Sequence, residues 1–280
     1  MTTSRQTWFI TGTSSGFGHA FAEHALARGH NVVATARDTA KLAELVAANP
    51  DRVLATPLDV TRAGAAEAAV QAAKERFGRI DVLINNAGYG IVGALEETPE
   101  AELRALMETN FFGAIAVTRA ALPLLRAQRS GAIVNISSLG GQLSFAGFSA
   151  YSASKFALEG ASEALAQEMA PFGVKVLIVE PGQFRTQLAG GAMRHMPIIE
   201  AYQPVVGGTR EFARTMHNTQ PGDPRKAAAA IEEALAAERT PLRLQLGADA
   251  VDAVRGHAEQ LLQDLQTWEP VSKRTAFETP

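Results

Sequence analysis

Tyr151 and Lys155 stand four residues apart in "YSASK". On a helix, positions i and i+4 project from one face, so a phenol and an ammonium become neighbours there. A free phenol, with a pKa near ~10, is a poor base at neutral pH. A fixed cation beside it favours the phenolate, and each unit of lowering corresponds to about 1.4 kcal/mol. The same cation makes the phenol a better acid toward a carbonyl oxygen. Such a pair is suited to moving a proton on or off a substrate oxygen. A helix-surface pair is the plainer reading, and the spacing alone does not separate the two.

A second stretch with chemistry in it is "TGTSSGFG", Thr11 to Gly18, between an apolar run and "HAFAEHALARG". Glycines at 12, 16 and 18 allow a tight turn and close approach of an anionic ligand to the backbone. The helix that follows offers free N–H groups and the positive end of its dipole to a pyrophosphate. A glycine turn that merely caps a helix would look the same. The context favours the ligand, because the loop falls at the first strand-to-helix crossing of a repeating pattern.

That pattern consists of short apolar runs alternating with longer Ala/Leu/Glu-rich segments. Strands are expected at Thr7–Thr11, Asn31–Ala36, Val53–Pro57, Val82–Asn85, Ala132–Ile136, Val174–Val179 and Leu242–Leu246. Most are apolar throughout, as strands covered on both faces should be. Ala66, Val70, Ala73 and Phe77 share one helical face, and Leu158, Leu165, Met169 and Phe172 another. A long helix is expected from Thr98 to about Gln128, with Thr98 as N-cap and Pro99 at its first position. Helix is also expected over 149–172. The reading is an α/β chain of one domain spanning 1–280, a doubly wound, Rossmann-like parallel sheet of about seven strands with helices on both faces. The rhythm breaks between Gly182 and Pro224, where 187–223 reads as a substrate lid. From about 266 the tail reads as peripheral and loosely ordered.

Composition removes several function classes. The chain of 280 residues carries a net charge of −3, with no clustered basic face for nucleic acid. No apolar run reaches the roughly 18 residues of a membrane span, and the start does not read as a secretory signal. The absence of cysteine excludes disulfides, thiolate metal sites and Cys nucleophiles, and a cytoplasmic location is expected. The six histidines are scattered without ligand spacing, so no metal is expected.

Five motifs in order ("TGTSSGFG", "NNAG" at 85–88, "NISS" at 135–138, "YSASK" and "EPGQFRT" at 180–186) resemble the short-chain dehydrogenase/reductase family over residues 7 to 186. "EPGQFRT" and "LAGGAM" look most like its 17β-hydroxysteroid-dehydrogenase-like branch. The resemblance implies a catalytic tetrad of Asn110, Ser138, Tyr151 and Lys155. Tyr151 would exchange the proton, and Ser138 would orient the substrate oxygen. Lys155 would tune Tyr151 and hold the nicotinamide ribose, while Asn110 would organise a water leading to Lys155. The resemblance also implies cofactor contacts from Gly12, Ser14, Ser15, Gly16, Phe17, Gly18, Asn86, Ala87 and Gly88, and from Pro181, Gly182, Phe184 and Thr186. Phe17 and Phe184 replace the family's more frequent Ile and Val or Ile.

Members that prefer NAD usually carry an acid after the second strand, where this chain has Ala36 followed by Arg37. A guanidinium suits a 2′-phosphate, so NADP(H) is expected ahead of NAD, although Arg37 also reads as a solvated surface arginine. Asp59 and Val60 would meet the adenine; alternatively Asp59 caps a turn at Thr61. The substrate pocket is expected from Gln142, Phe145, Phe148, Met193, Met196 and Tyr202, with Ser138 and Tyr151, and an apolar ketone or secondary alcohol is implied. These side chains could equally pack the lid onto the body. A non-catalytic NADP(H)-binding sensor or scaffold is the rival reading, but such proteins typically lose the tyrosine or the lysine. Sugar-nucleotide epimerases share Tyr-xxx-Lys, but with a different loop and a larger C-terminal part. By the same resemblance a homodimer or homotetramer is expected through the helices at 99–128 and 150–172.

Overall fold

The computed structural model describes residues 5–277. The chain runs β1 (Thr7–Ile10), α1 (Gly16–Ala27), β2 (Asn31–Ala36), α2 (Ala43–Ala48), β3 (Val53–Pro57), α3 (Ala65–Phe77), β4 (Val82–Asn85) and β5 (Gly90–Val92). It continues through α4 (Glu100–Met107), α5 (Ala114–Gln128), β6 (Gly131–Ile136), α6 (Ser149–Met169), β7 (Val174–Pro181) and β8 (Met193–His195). It closes with α7 (Gln203–Thr215), α8 (Pro224–Ala236), β9 (Arg243–Leu246) and α9 (Ala248–Ser272).

Seven strands form one parallel sheet in the order β3-β2-β1-β4-β6-β7-β9. Strand pleating sends alternate side chains to opposite faces. Trp8, Ile10, Val32, Ala34 and Ile84 meet Phe21 and Leu26 of α1 and Ile231 of α8. Phe9, Val33, Leu83 and Ile133 face the other way, onto α3 and α5. Both faces are dry, which explains the uniformly apolar strands. The chain winds outward from β1 to β3 and then returns to β4 beside β1, so a crevice opens at the carboxyl ends of the strands where the direction reverses.

Strand boundaries differ from expectation by one or two residues. β7 runs on through Glu180 and Pro181 because Gln245 and Leu246 of β9 pair with them. The long helix over 99–128 is in fact three pieces. Pro99 is extended (φ −57°, ψ 144°) and is itself the N-cap, while the Thr98 hydroxyl donates to the Ala94 carbonyl instead. Between α4 and α5 the residues Glu108–Gly113 form a π-helical turn, the kind of local expansion that re-aims a side chain.

The 182–224 excursion holds β8 and α7. β8 pairs in parallel with β5, Gly90 opposite Met193 and Val92 opposite His195, a two-stranded sheet that the sequence did not signal. Glycine on the body side leaves it room. A Cβ at Gly90 would stand 2.8 Å from the Met193 thioether, and one at Gly93 would stand 2.6 Å from Met196 Cβ. The excursion is also tied by a buried ion pair. Glu97 accepts from the Ala94 and Ile199 amides and from Arg210, at 2.6 Å, and Arg210 donates further to the Met196 and Pro197 carbonyls. Residues 266–272 are the last, exposed turns of α9.

Candidate active site

β1 delivers the chain into the glycine loop. Gly12 sits at φ +69° with its Cβ direction 3.1 Å from Ala87 Cα, so both conformation and space call for glycine there. A Cβ on Gly18 would lie 2.3 Å from the Gly12 carbonyl oxygen, so glycine here lets α1 start hard against the loop. The loop is braced from β4. The Thr11 hydroxyl accepts from the Asn86 and Ala87 amides at 2.8 and 2.9 Å, and the Asn86 side chain donates to the Thr11 carbonyl at 2.8 Å. The Asn86 amide therefore holds the loop, and Thr11 is a positioning residue the sequence reading missed.

A cleft of about 740 Å³ lies along this edge of the sheet. At one end Arg37, Asp59 and Val60 line it; in the middle stand Gly12, Ser14, Ser15, Gly16 and Phe17; at the far end are Ser138, Tyr151 and Lys155. Ala87, Gly88, Pro181, Gly182, Phe184 and Thr186 line it as well. The donor set fits a dinucleotide: α1 opens on the cleft with no acidic residue in its first turn, so nothing there repels a pyrophosphate. Asp59 also has the capping contacts, accepting from the Thr61 amide and hydroxyl at 3.1 and 2.7 Å. The Thr61 hydroxyl holds its carboxyl below the usual range against the opposing pull of burial, with the Thr61 amide and Arg37 assisting.

Phe17 and Phe184, the two departures from the more frequent residues, pack on each other with ring centroids 5.2 Å apart. One aromatic accommodates the other across the loops after β1 and β7. Gly182 is demanded by a residue outside the motifs, since a Cβ there would fall 2.3 Å from the Asp249 carboxylate, which accepts from the Gln183 amide.

The chemistry sits on the buried stripe of α6, where Tyr151, Ser154, Lys155, Glu159 and Ser162 follow at helical spacing. Burial raises the Tyr151 phenol, and a hydrogen bond with Ser138 pulls the other way. This departs from the lowering expected of a neighbouring lysine. Lys155 Nζ lies 5.8 Å from the phenol ring centroid and donates to the Ile136 carbonyl at 2.9 Å. Burial pushes Lys155 itself down to about 8, with Glu159 opposing. Asn110, on the π turn, is buried and engaged on both sides. Its oxygen accepts from the Tyr89 amide, and its nitrogen donates to the Tyr89 carbonyl and to Ser154, whose hydroxyl donates to the Tyr151 carbonyl. Asn110 thereby fixes the start of α6 against the strand-four loop.

Of the expected substrate residues, Ser138, Tyr151 and Met193 line the cleft. Gln142 and Phe148 do not. Gln142 turns to the buried carboxyls of Glu159 and Glu180, where its amide donates alongside Ser137, Arg243 and Gln245. Phe148 packs edge-on against Tyr151 at 6.3 Å, in an apolar cluster with Ile91, Leu106 and Met196. Two residues at the cleft mouth went unnoticed in the sequence: Tyr89 and Arg194, whose guanidinium lies 4.4 Å from the Tyr89 ring centroid. Also missed was the cluster behind Lys155. Glu159 accepts from Ser137 at 2.6 Å, and Arg243 bridges Glu159 and Glu180 at 3.2 Å to each. Burial, and then the charge of Glu159, push Glu180 up to about 7.

This seven-stranded, doubly wound frame with a glycine-loop cleft is the architecture of nicotinamide-dependent oxidoreductases. The chain belongs to the short chain dehydrogenase family, whose model matches residues 6–196. An oxidoreductase of Botryotinia fuckeliana, BOA17, is 42% identical over 96% of this chain and 98% of its own. A 3-ketodihydrosphingosine reductase of Bacteroides thetaiotaomicron is 40% identical over 85% and 86% of the two chains. A short-chain dehydrogenase structure from Streptomyces avermitilis superposes with a TM-score of 0.93, at 54% identity over 99% and 100%. Two structures at 25% identity hold nicotinamide cofactors. One, from Burkholderia phymatum, has NAD (TM-score 0.79; 92% of this chain, 95% of that one). The other, ElxO, has NADP (0.72; 89% and 99%). The chain is thus an oxidoreductase of this family that uses a nicotinamide cofactor. No helix among the described residues is long and apolar enough to cross a membrane.

Proposed function

We propose that the protein is an NADP(H)-dependent oxidoreductase interconverting a hydrophobic ketone and its secondary alcohol. The observation that carries this is the convergence of Ser138 with the buried Tyr151 and Lys155 on one end of the cleft, Lys155 one helical turn on from Tyr151. The bound cofactor would supply or accept the hydride. Tyr151 holds the proton that the substrate oxygen gains or loses, and Ser138 orients that oxygen. Because burial keeps the phenol protonated at neutral pH, the resting site is set to donate, the direction that carbonyl reduction needs. Lys155, at about 8, stays largely cationic at neutral pH and is placed to hold the ribose and stabilise a transient phenolate. Asn110 acts through the backbone of Tyr89 and through Ser154.

Arg37 at one end of the cleft, with no acid at 36 or 37, favours NADP(H) over NAD. Tyr89, Leu188, Met193 and Met216 give the mouth an apolar, adaptable lining, and 187–223 serves as the lid. The name of the Bacteroides relative supports a long-chain ketone among the substrates to be tried first. The cysteine-free composition suits the cytoplasm. Exposed Phe112 and Phe156 mark the face through which a homodimer or homotetramer would form.

Tyr151→Phe should lower ketone reduction by about 10²-fold or more while NADPH binding, read by fluorescence, persists. Undiminished turnover would remove Tyr151 as the proton carrier, whereas unchanged biological activity of a variant without turnover would favour the cofactor-binding scaffold. A higher kcat/KM with NADH than with NADPH in the wild-type protein would remove the cofactor preference.

A further inference from the structure

α9 touches the body only at its start. Asp249 accepts from the Gln183 amide, Ala250 is its one buried residue, and the remaining turns extend outward over a helix about 37 Å long at 1.5 Å per residue. Isolated helices are marginal without tertiary cover, and this one carries Gly256 and Pro270. Six of its apolar residues nonetheless alternate at spacings of three and four, Val251, Val254, Ala258, Leu261, Leu265 and Trp268, with Leu262 and Val271 flanking them. The row has the 3.5-residue period of a helix–helix seam, widened on one side by Leu262. Gly256 and Pro270 both fall on the side opposite the seam. Leu261, Leu265 and Trp268 are 56%, 64% and 62% exposed.

We propose that this seam pairs with the α9 seam of a second copy of the chain, antiparallel and in full overlap. Side-chain volume sets the direction. The seam is small near the body and large at its far end, so the antiparallel layers are Val251 with Trp268, Val254 with Leu265, and Ala258 with Leu261 across the two copies. A parallel pair would stack Trp268 on Trp268 and leave Ala258 facing Ala258. Polar pairing agrees, because the antiparallel register sets the His257 ring of each copy beside the Asp264 carboxylate of the other as a hydrogen-bond donor. A membrane surface is the poorer occupant: α9 carries five carboxylates against one arginine, whereas helices that lie on anionic bilayers are rich in Lys and Arg. This interface is separate from the Phe112/Phe156 face and does not depend on the proposed reaction.

The chain has no cysteine, which makes cross-linking clean. Val254→Cys and Leu265→Cys proteins, mixed and oxidised, should form a disulfide-linked dimer containing one of each, with little from either alone. In sedimentation equilibrium, Leu261→Asp/Leu265→Asp should halve the assembly mass while keeping wild-type NADPH binding and circular dichroism. An unchanged mass, a wild-type monomer, or self-linking of each single variant in place of the mixed species would overturn the pairing.

Discussion

Tyr151 and Lys155 share the inner end of the cleft, yet the interior sets their proton affinities more than they set each other's. The phenol is raised by loss of water and eased by Ser138, and the amine is lowered by the same loss of water to about 8. The two shifts have a kinetic consequence. Ketone reduction wants Lys155 charged, so kcat/KM should be level below pH about 8 and fall above it as the ammonium deprotonates. Lys155→Met should lower the plateau by about 10²-fold and remove that break. A wild-type profile that is flat to pH 10, or a break that survives in the variant, would assign it to another group.

Among the elements, the excursion after β7 is held to the body by two devices, the glycine-permitted β5–β8 pairing and the Glu97–Arg210 pair. Burial works against the charge on Glu97. The Ile199 and Ala94 amides and Arg210 outweigh it, so the carboxyl titrates below its usual range. Its lowered folded-state pKa means that this support is fully present above about 4.5 and is lost as the pH falls below it. Arg210→Met strands a buried carboxylate, a loss of about 3–5 kcal/mol. The expected result is faster hydrogen exchange over 196–215 and a raised KM, with α1 and α3 unaffected. Unchanged protection of 196–215 would mean that β5–β8 alone holds the segment.

Across the whole molecule, the acids behind the site link α6, β7 and β9 in one buried cluster. Glu180, pushed up to about 7 by burial and by Glu159, keeps a proton that the unfolded chain gives up near 4.5. The folded state binds more protons between those values, so this group's contribution to stability is present on the acid side and is lost as the pH rises from about 4.5 to 7. Glu180→Gln has no proton to lose. Urea midpoints measured from pH 4.5 to 7.5 should fall for the wild type relative to the variant, and parallel curves would show that Glu180 ionises alike in both states.

What the order of residues determined by itself is whatever depends on near neighbours. Apolar runs of strand length, the glycines at 12 and 18 and the i, i+4 pairing of Tyr151 with Lys155 are set within a few residues, and the sheet and α6 follow them closely. Folding decided what joins distant positions. β5 and β8 are three residues each and pair across about a hundred residues of chain, with Gly93 leaving room for Met196 Cβ just beyond them. Gln142 faces away from the cleft and joins the polar cluster around Glu159 and Glu180, residues 17 and 38 positions further along the chain. The Tyr151 phenol is raised, not lowered, because removal from water, which only the assembled core imposes, dominates, while Lys155 turns its ammonium to the Ile136 carbonyl.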